Sequence, residues 1–119
     1  VGGLVHCLLP EAWESKKERL DNPFMFVNKG VPEMMRTLFK NGAKKDRLIL
    51  KAAGCAAMIK IQNKFDTGAK NQAILMRLLE KNGMKLAGKD MGGTIPRTMI
   101  LTMATGTVQI ASCGKEWEI

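Results

Sequence analysis

The sequence has few aromatic residues and no long apolar run. Its 119 residues include two Trp, four Phe and no Tyr, so no platform of aromatic side chains on which nucleic-acid bases could stack is evident. No stretch approaches the roughly 20 consecutive apolar residues that a membrane-spanning helix needs, and no signal peptide is recognisable. We therefore expect no membrane insertion. With 45% hydrophobic and 25% charged residues, the composition is that of one soluble globular domain over residues 1–119.

Cysteine and histidine are also scarce. The three cysteines, Cys7, Cys55 and Cys113, and the single histidine, His6, form no CxxC or Cys/His pattern with zinc-ligand spacing. We therefore expect no metal and no other cofactor. An odd number of cysteines, two of them within apolar runs, indicates free thiols in a reducing cytoplasm.

Positive charge is in excess: 19 Lys and Arg stand against 11 Asp and Glu, a net charge of +8. The charges are scattered along the chain, which is typical of a solvated basic surface. An acidic protein partner is the next interpretation. Nucleic acid comes last, because the chain lacks both a basic cluster and aromatic residues interleaved with it.

Hydrophobic periodicity predicts an α/β domain. Helices are predicted over about residues 31–41, with Pro32 in the first turn, and 69–82, and each is ended by a glycine. Strands are predicted over residues 3–9, 47–53 and 84–89, followed by a hairpin over about 99–110, whereas 54–68 and 114–119 are predicted to be irregular and frayed. The order β-α-β-α-β-β-β predicts a mixed sheet with the helices packed on one face.

The first segment carries the only histidine. Residues 3–9 are apolar on both faces of the predicted strand, apart from His6, so we expect this strand to lie inside a sheet with His6 facing a cleft. The chain begins on this segment without Met, which suggests that it is the remainder of a longer protein.

A lone histidine on an apolar strand is more often structural than catalytic. If His6 is a catalytic base, Cys7 is a poor nucleophile for it, because neighbouring residues of a strand point to opposite faces.

A second notable segment runs from Asp90 to Thr98 and contains paired glycines. Gly92 and Gly93 permit positive φ angles and close backbone approach. Arg97 could pair with Asp90 and shape the loop, or it could bind a substrate carboxylate. The loop-shaping alternative is the more common arrangement.

Five segments together resemble the CheD family, the chemoreceptor glutamine deamidases of bacterial and archaeal chemotaxis. Residues 2–10 resemble G-G-x-A-H-x-x-L-P, and residues from Asn22 to Val27 resemble N-P-x-K-Y-x-D. Three further stretches resemble K-x-x-G-G-A-x-M, I-G-x-R-N and D-x-G-G-x-x-G-R-T, and they lie at 51–58, 67–71 and 90–98. The segments occur in the family's order over nearly the whole chain.

The resemblance implies a cysteine hydrolase with layered α/β/β architecture, similar to the catalytic domain of the cytotoxic necrotizing factor toxins. A thiolate would attack the side-chain amide of a receptor glutamine, with His6 at the family's histidine position. The family's nucleophile lies in a G-x-G-S-C segment upstream of the histidine. The chain starts after that region, so we expect the 119 residues alone to be inactive.

This sequence departs from the family pattern at several positions. Cys55 replaces a glycine and Pro96 replaces another, and the proline fixes φ and removes an amide donor beside Arg97. These differences bear on substrate binding more than on the fold.

The resemblance also bears on partners. The cytoplasmic helices of chemoreceptors are the expected substrate, and a CheC-type phosphatase is a further expected partner. Met58, Ile59 and Ile61 lie in the stretch that contacts CheC in the family, although the same side chains could instead fill the core. The alternative function is a non-catalytic module that retains the fold and binds a receptor or CheC.

Overall fold

The computed structural model describes residues 1–11, 22–57 and 66–119. Two helices and five strands follow one another in these residues: α1 (Val27–Lys40), β1 (Leu50–Gly54), α2 (Thr67–Lys81), β2 (Leu86–Met91), β3 (Thr98–Thr102), β4 (Thr107–Ser112) and β5 (Lys115–Glu118). Short 3-10 turns cover Pro23–Met25 and Lys45–Arg47. The predicted α/β class is confirmed.

The strands form two open sheets. β1 and β2 are parallel neighbours joined through α2, whereas β3, β4 and β5 form an antiparallel sheet in sequence order. Neither sheet of the described residues mixes parallel and antiparallel pairs, so the predicted mixed sheet is wrong. The parallel pair has the connection that parallel strands require, a helix between them.

Helix α1 begins earlier than the sequence predicts. Its first residue, Val27, donates its backbone N–H to the carbonyl of Leu9 at 2.9 Å, so the contact with the first segment fixes the point where the helix starts. Pro32 consequently lies inside the helix, and its predicted place in the first turn is wrong. On its apolar face, Met35 and Leu38 are buried.

Helix α2 agrees with its prediction to within two residues at its start. The side chain of Asp66 caps it by accepting a hydrogen bond from the backbone N–H of Ala69 at 3.0 Å, which satisfies one of the free donors of the first turn. Gly83 follows the helix with a φ of 64°. Leu79 is buried and lines, with Met35 of α1, the contact between the two helices.

The tail is more ordered than the sequence predicts. The hairpin of β3 and β4 is confirmed, but residues 114–119 are not frayed, because most of them form strand β5. The turn before β5 consists of Cys113 and Gly114, whose φ angles are 51° and 77°. Two positive φ angles match a tight type I′ hairpin turn. Ile110, on the central strand β4, is completely buried.

The segment before α1 is not an interior strand, and this prediction is wrong. Within the described residues its only bridge is the parallel pairing of Leu9 with Phe26, and no backbone–backbone hydrogen bond to another described residue involves residues 1–7. Leu4 and Leu8 are 56% and 55% exposed. Residues 1–11, here called the N-terminal arm, form no strand, and among the described residues they have none of the neighbouring strands that an interior strand needs.

Candidate active site

A cleft of about 220 Å³ separates the N-terminal arm from β1. It is lined by residues 3–7 of the arm, by Leu50–Cys55 and by residues of α1 and α2. Most lining residues are apolar. The polar residues that line it are His6, Cys7, Lys51, Cys55 and Asn71.

His6 lies at this cleft and remains exposed to solvent. Along residues 4–9 of the arm, exposed and half-buried residues alternate, and His6 is exposed whereas Cys7 is half-buried. An exposed imidazole beside a cleft can reach a side chain that another protein inserts there.

Neither thiol at the cleft is activated. Burial raises the pKa of Cys7, whose sulfur lies beside Gly30 of α1. Burial also raises the pKa of Cys55, and the positive charge of Arg97 offsets only part of that effect. A nucleophilic cysteine needs the opposite shift, because the thiolate is the reactive form. Cys113 is exposed in the turn between β4 and β5 and does not line the cleft.

Asn71 is a site residue that sequence reasoning missed. It lies on α2, and its side-chain Nδ2 donates to the carbonyl of Leu8 at 3.2 Å, which attaches the arm to the helix two residues beyond His6. One signal in the sequence could have identified it: Asn71 is the last residue of the segment 67–71, which resembles I-G-x-R-N. That segment was used to recognise the family, but no role was assigned to the asparagine.

Arg97 connects the last residue of β1 with β2 and the loop that follows it. Its Nη1 donates to the carbonyls of Gly92 at 2.8 Å and Gly54 at 3.3 Å, and its Nε bonds the Asp90 carboxylate at 3.1 Å. The other oxygen of Asp90 accepts the indole N–H of Trp117 at 2.5 Å.

The arginine side chain is only 7% exposed. Gly92 and Gly93 have φ angles of 86° and 66°, so the loop takes the conformations that its glycines permit. These contacts leave the guanidinium directed at the protein itself.

The predicted partner-binding residues Met58, Ile59 and Ile61 lie outside the described residues. Across residues 1–11, 22–57 and 66–119, no group of three His, Cys, Asp or Glu side chains could hold a metal ion. In the same part of the chain, neither helix is long and apolar enough to cross a membrane.

Comparison with known proteins identifies the family. The family model described as CheD chemotactic sensory transduction matches residues 8–112. The chain belongs to the CheD family. A protein of Solibacter usitatus is 36% identical over 119 residues, which is 100% of this chain and 70% of that protein. A CheD protein of Methanococcus vannielii is 38% identical over 111 residues, or 92% of this chain and 70% of the relative.

A third CheD relative, from Clostridium kluyveri, is 34% identical over 117 residues, covering 96% of this chain and 71% of that protein. All three relatives carry the name "Probable chemoreceptor glutamine deamidase CheD". The resemblance based on five segments is thus confirmed at the level of the family.

Proposed function

We propose that this CheD protein is a chemotaxis hydrolase that deamidates glutamine side chains on the cytoplasmic helices of chemoreceptors to glutamate. The observation that carries the proposal is the position of the only histidine, which lines the cleft and stays exposed to an incoming side chain. Membership of the family and the names of its relatives support the same reaction. The proposal includes a fold related to the catalytic domain of the cytotoxic necrotizing factor toxins, for which the α/β class is the supporting observation.

In the proposed reaction a cysteine thiolate attacks the carbonyl carbon of the glutamine carboxamide. His6 donates a proton to the amide nitrogen, ammonia leaves, and a thioester remains. The neutral imidazole then takes a proton from water, which attacks the thioester. Glutamate and the thiolate are released from the thioester, and His6 keeps the proton from water, so the thiolate and the protonated imidazole are restored for the next cycle.

The nucleophile in this proposal is a cysteine outside the 119 residues, on the upstream segment that the family resemblance implies. The state of the thiols supports it, since burial raises the pKa of both Cys7 and Cys55. Arg97, Gly92 and Gly93 are proposed to shape the loop beside the cleft. The contacts of Arg97 with Asp90 and with two backbone carbonyls support this role.

The test compares the 119-residue chain with a protein that also carries the upstream segment. Ammonia release, or the mass change of a receptor peptide when NH2 is replaced by OH, reports turnover. We expect turnover only with the segment present. His6→Ala should lower it by about 10²–10⁴-fold, the usual contribution of a general acid–base, while peptide binding is retained. Cys113→Ser, outside the cleft, is the matched control. Turnover by the short chain that Cys55→Ser or Cys7→Ser abolishes would refute the upstream nucleophile.

A second candidate function is a non-catalytic module that binds a chemoreceptor or a CheC-type phosphatase. The observation behind it is that burial raises the pKa of both thiols at the cleft, which agrees with a protein without a nucleophile as well as with an upstream one. Receptor binding without turnover, even with the upstream segment present, would support it over the enzyme.

A further inference from the structure

The side-chain amide of Asn71 has one satisfied end and one unsatisfied end. Its Nδ2 donates to the Leu8 carbonyl, and this bond fixes which end of the amide is the oxygen, because two oxygens would otherwise face each other. The Oδ1 atom is buried and has no hydrogen-bond partner; it is the one such side-chain atom found among the described residues. A buried acceptor without a donor is destabilising and is uncommon in native proteins.

The residue that carries this oxygen suggests what it binds. Asn71 lines the same cleft as His6 and as Ala53, Gly54 and Cys55 at the carboxyl end of β1, and ligands of parallel sheets bind outside the carboxyl ends of strands. The cleft volume of about 220 Å³ lies below the range of roughly 300–1,000 Å³ for small-molecule sites. A cleft of this volume suits a single amino-acid side chain better than a larger ligand.

We propose that Asn71 Oδ1 accepts a hydrogen bond from the NH2 group of the substrate carboxamide and so selects glutamine. This inference rests on the proposed function and adds a specificity determinant to it. A carboxamide offers two N–H donors, whereas a glutamate methyl ester or a glutamate carboxylate offers none. The acceptor therefore favours the amide over the ester, and it repels the carboxylate product.

The consequence for the reaction concerns orientation. With its nitrogen held by Asn71, the amide leaves its carbonyl carbon open to the nucleophile. The same asparagine holds Leu8, two residues from His6, so one side chain orients both the substrate and the segment that carries the proton donor. Such fixed positioning accelerates a reaction without taking part in it.

The experiment measures kcat/KM for two receptor peptides, one with glutamine and one with its glutamate methyl ester, using the protein as its gene encodes it. Asn71→Leu, which removes both polar atoms at similar size, should lower the amide-to-ester ratio by about tenfold or more, the effect of one unpaired buried donor. Asn71→Asp keeps an acceptor oxygen and loses the donor to Leu8. It should lower both activities and keep the ratio close to that of the unaltered protein.

Asn82→Leu is the matched control. Asn82 ends the same helix and bonds the Leu78 carbonyl at 2.7 Å, away from the cleft, so its loss reports helix stability without altering the ratio. An equal loss of amide and ester turnover in Asn71→Leu, with a shifted pH profile, would show instead that Asn71 orients His6. That result overturns the substrate role.

A binding measurement separates this inference from the proposed function. The His6→Ala protein, with Asn71 intact, should bind the glutamine peptide more tightly than the ester peptide, and adding Asn71→Leu should abolish the difference. Equal affinities in the protein with Asn71 intact overturn the assignment whether or not turnover is observed. If the unaltered protein hydrolyses neither the amide nor the ester, but the binding preference for the glutamine peptide is retained, the deamidase function is refuted and the role of Asn71 in binding is not.

Discussion

Cys55 has a backbone conformation that favours glycine. Its φ is 57°, and it directly follows Gly54, whose φ is 108°. The family pattern K-x-x-G-G-A-x-M has glycine at the position of Cys55, and the structure supplies the physical reason. A side chain in this left-handed region meets its own backbone, at a cost of roughly 1–2 kcal/mol.

We predict that Cys55→Gly raises the free energy of unfolding by about 0.5–1 kcal/mol, because relief of strain exceeds the extra entropy of an unfolded glycine. Urea denaturation measures the change. Cys7→Gly is the control, since Cys7 is not among the residues with positive φ, and it should be destabilising. A decrease in stability on Cys55→Gly would show that the half-buried thiol contributes more than the strain removes.

Arg97 is the residue on which the loop between β2 and β3 depends. We predict that Arg97→Ala lowers the free energy of unfolding by roughly 3 kcal/mol, because Asp90 loses its cationic partner in a part-buried site. Arg36→Ala provides the contrast. Its ion pair with Glu33 lies on the surface, with the arginine side chain 68% exposed, and such pairs contribute at most about 1 kcal/mol. Equal losses in the two variants, measured by denaturation, would show that the loop network is not stabilising.

Among the elements, helix α2 is held closely against the backbone that follows β1. A Cβ atom added at Gly68 would lie 2.5 Å from the carbonyl oxygen of Cys55 and 2.8 Å from that of Ala56. Real Cβ atoms do not approach backbone so closely, and the neighbours are main-chain atoms that cannot rotate away. The glycine is therefore required by packing rather than by its own φ angle.

We predict that Gly68→Ala lowers the free energy of unfolding by about 1–3 kcal/mol, the usual cost of overpacking, although alanine is the better helix former. The neighbouring exposed position gives the control, since Ala69→Gly should lower stability only by about 1 kcal/mol through helix propensity. Stabilisation by Gly68→Ala in thermal or urea unfolding would mean that α2 can move away from β1 without loss.

Sequence patterns predicted the helices well because their signals are local. Met35 and Leu38, or Leu75 and Leu79, recur at helical spacing, and Gly42 and Gly83 end the two helices with positive φ angles. Strand β5 was missed because its turn uses Cys113 before Gly114, where asparagine or aspartate is the usual signal.

The arm was misjudged for a different reason. A run that is apolar on both faces predicts an interior strand only if two neighbouring strands exist, and hydrogen bonding between strands is not encoded in the run itself. Strand β1 also starts later than predicted, at Leu50 instead of residue 47, because Lys45–Arg47 forms a 3-10 turn.

Only those residues of the candidate site that are distinctive in the sequence by themselves could be predicted. His6 was identified because it is the only histidine. Asn71 was not, because its importance arises from a contact with Leu8, 63 residues away in sequence. Contacts of this kind depend on the tertiary arrangement.

For the whole molecule, the net charge of +8 should govern how quickly it meets an acidic partner. Under the proposed function that partner is a chemoreceptor helix rich in glutamate and glutamine. We predict that the association rate falls about tenfold or more between roughly 0.01 and 1 M salt, as the Debye length shortens from about 30 to 3 Å. Stopped-flow binding measures the rate. The dissociation rate should change much less, since steering acts on encounter. An association rate independent of salt would contradict a role for the basic surface.

The attachment of the N-terminal arm has a consequence for temperature. Residues 8–10 are held to the start of α1 by backbone hydrogen bonds, whereas Gly2 and Gly3 lie against side chains of Met103 and Leu38. Contacts between apolar groups weaken on cooling. We therefore expect the part of the arm that carries His6 to loosen on cooling before residues 8–10, which backbone hydrogen bonds hold.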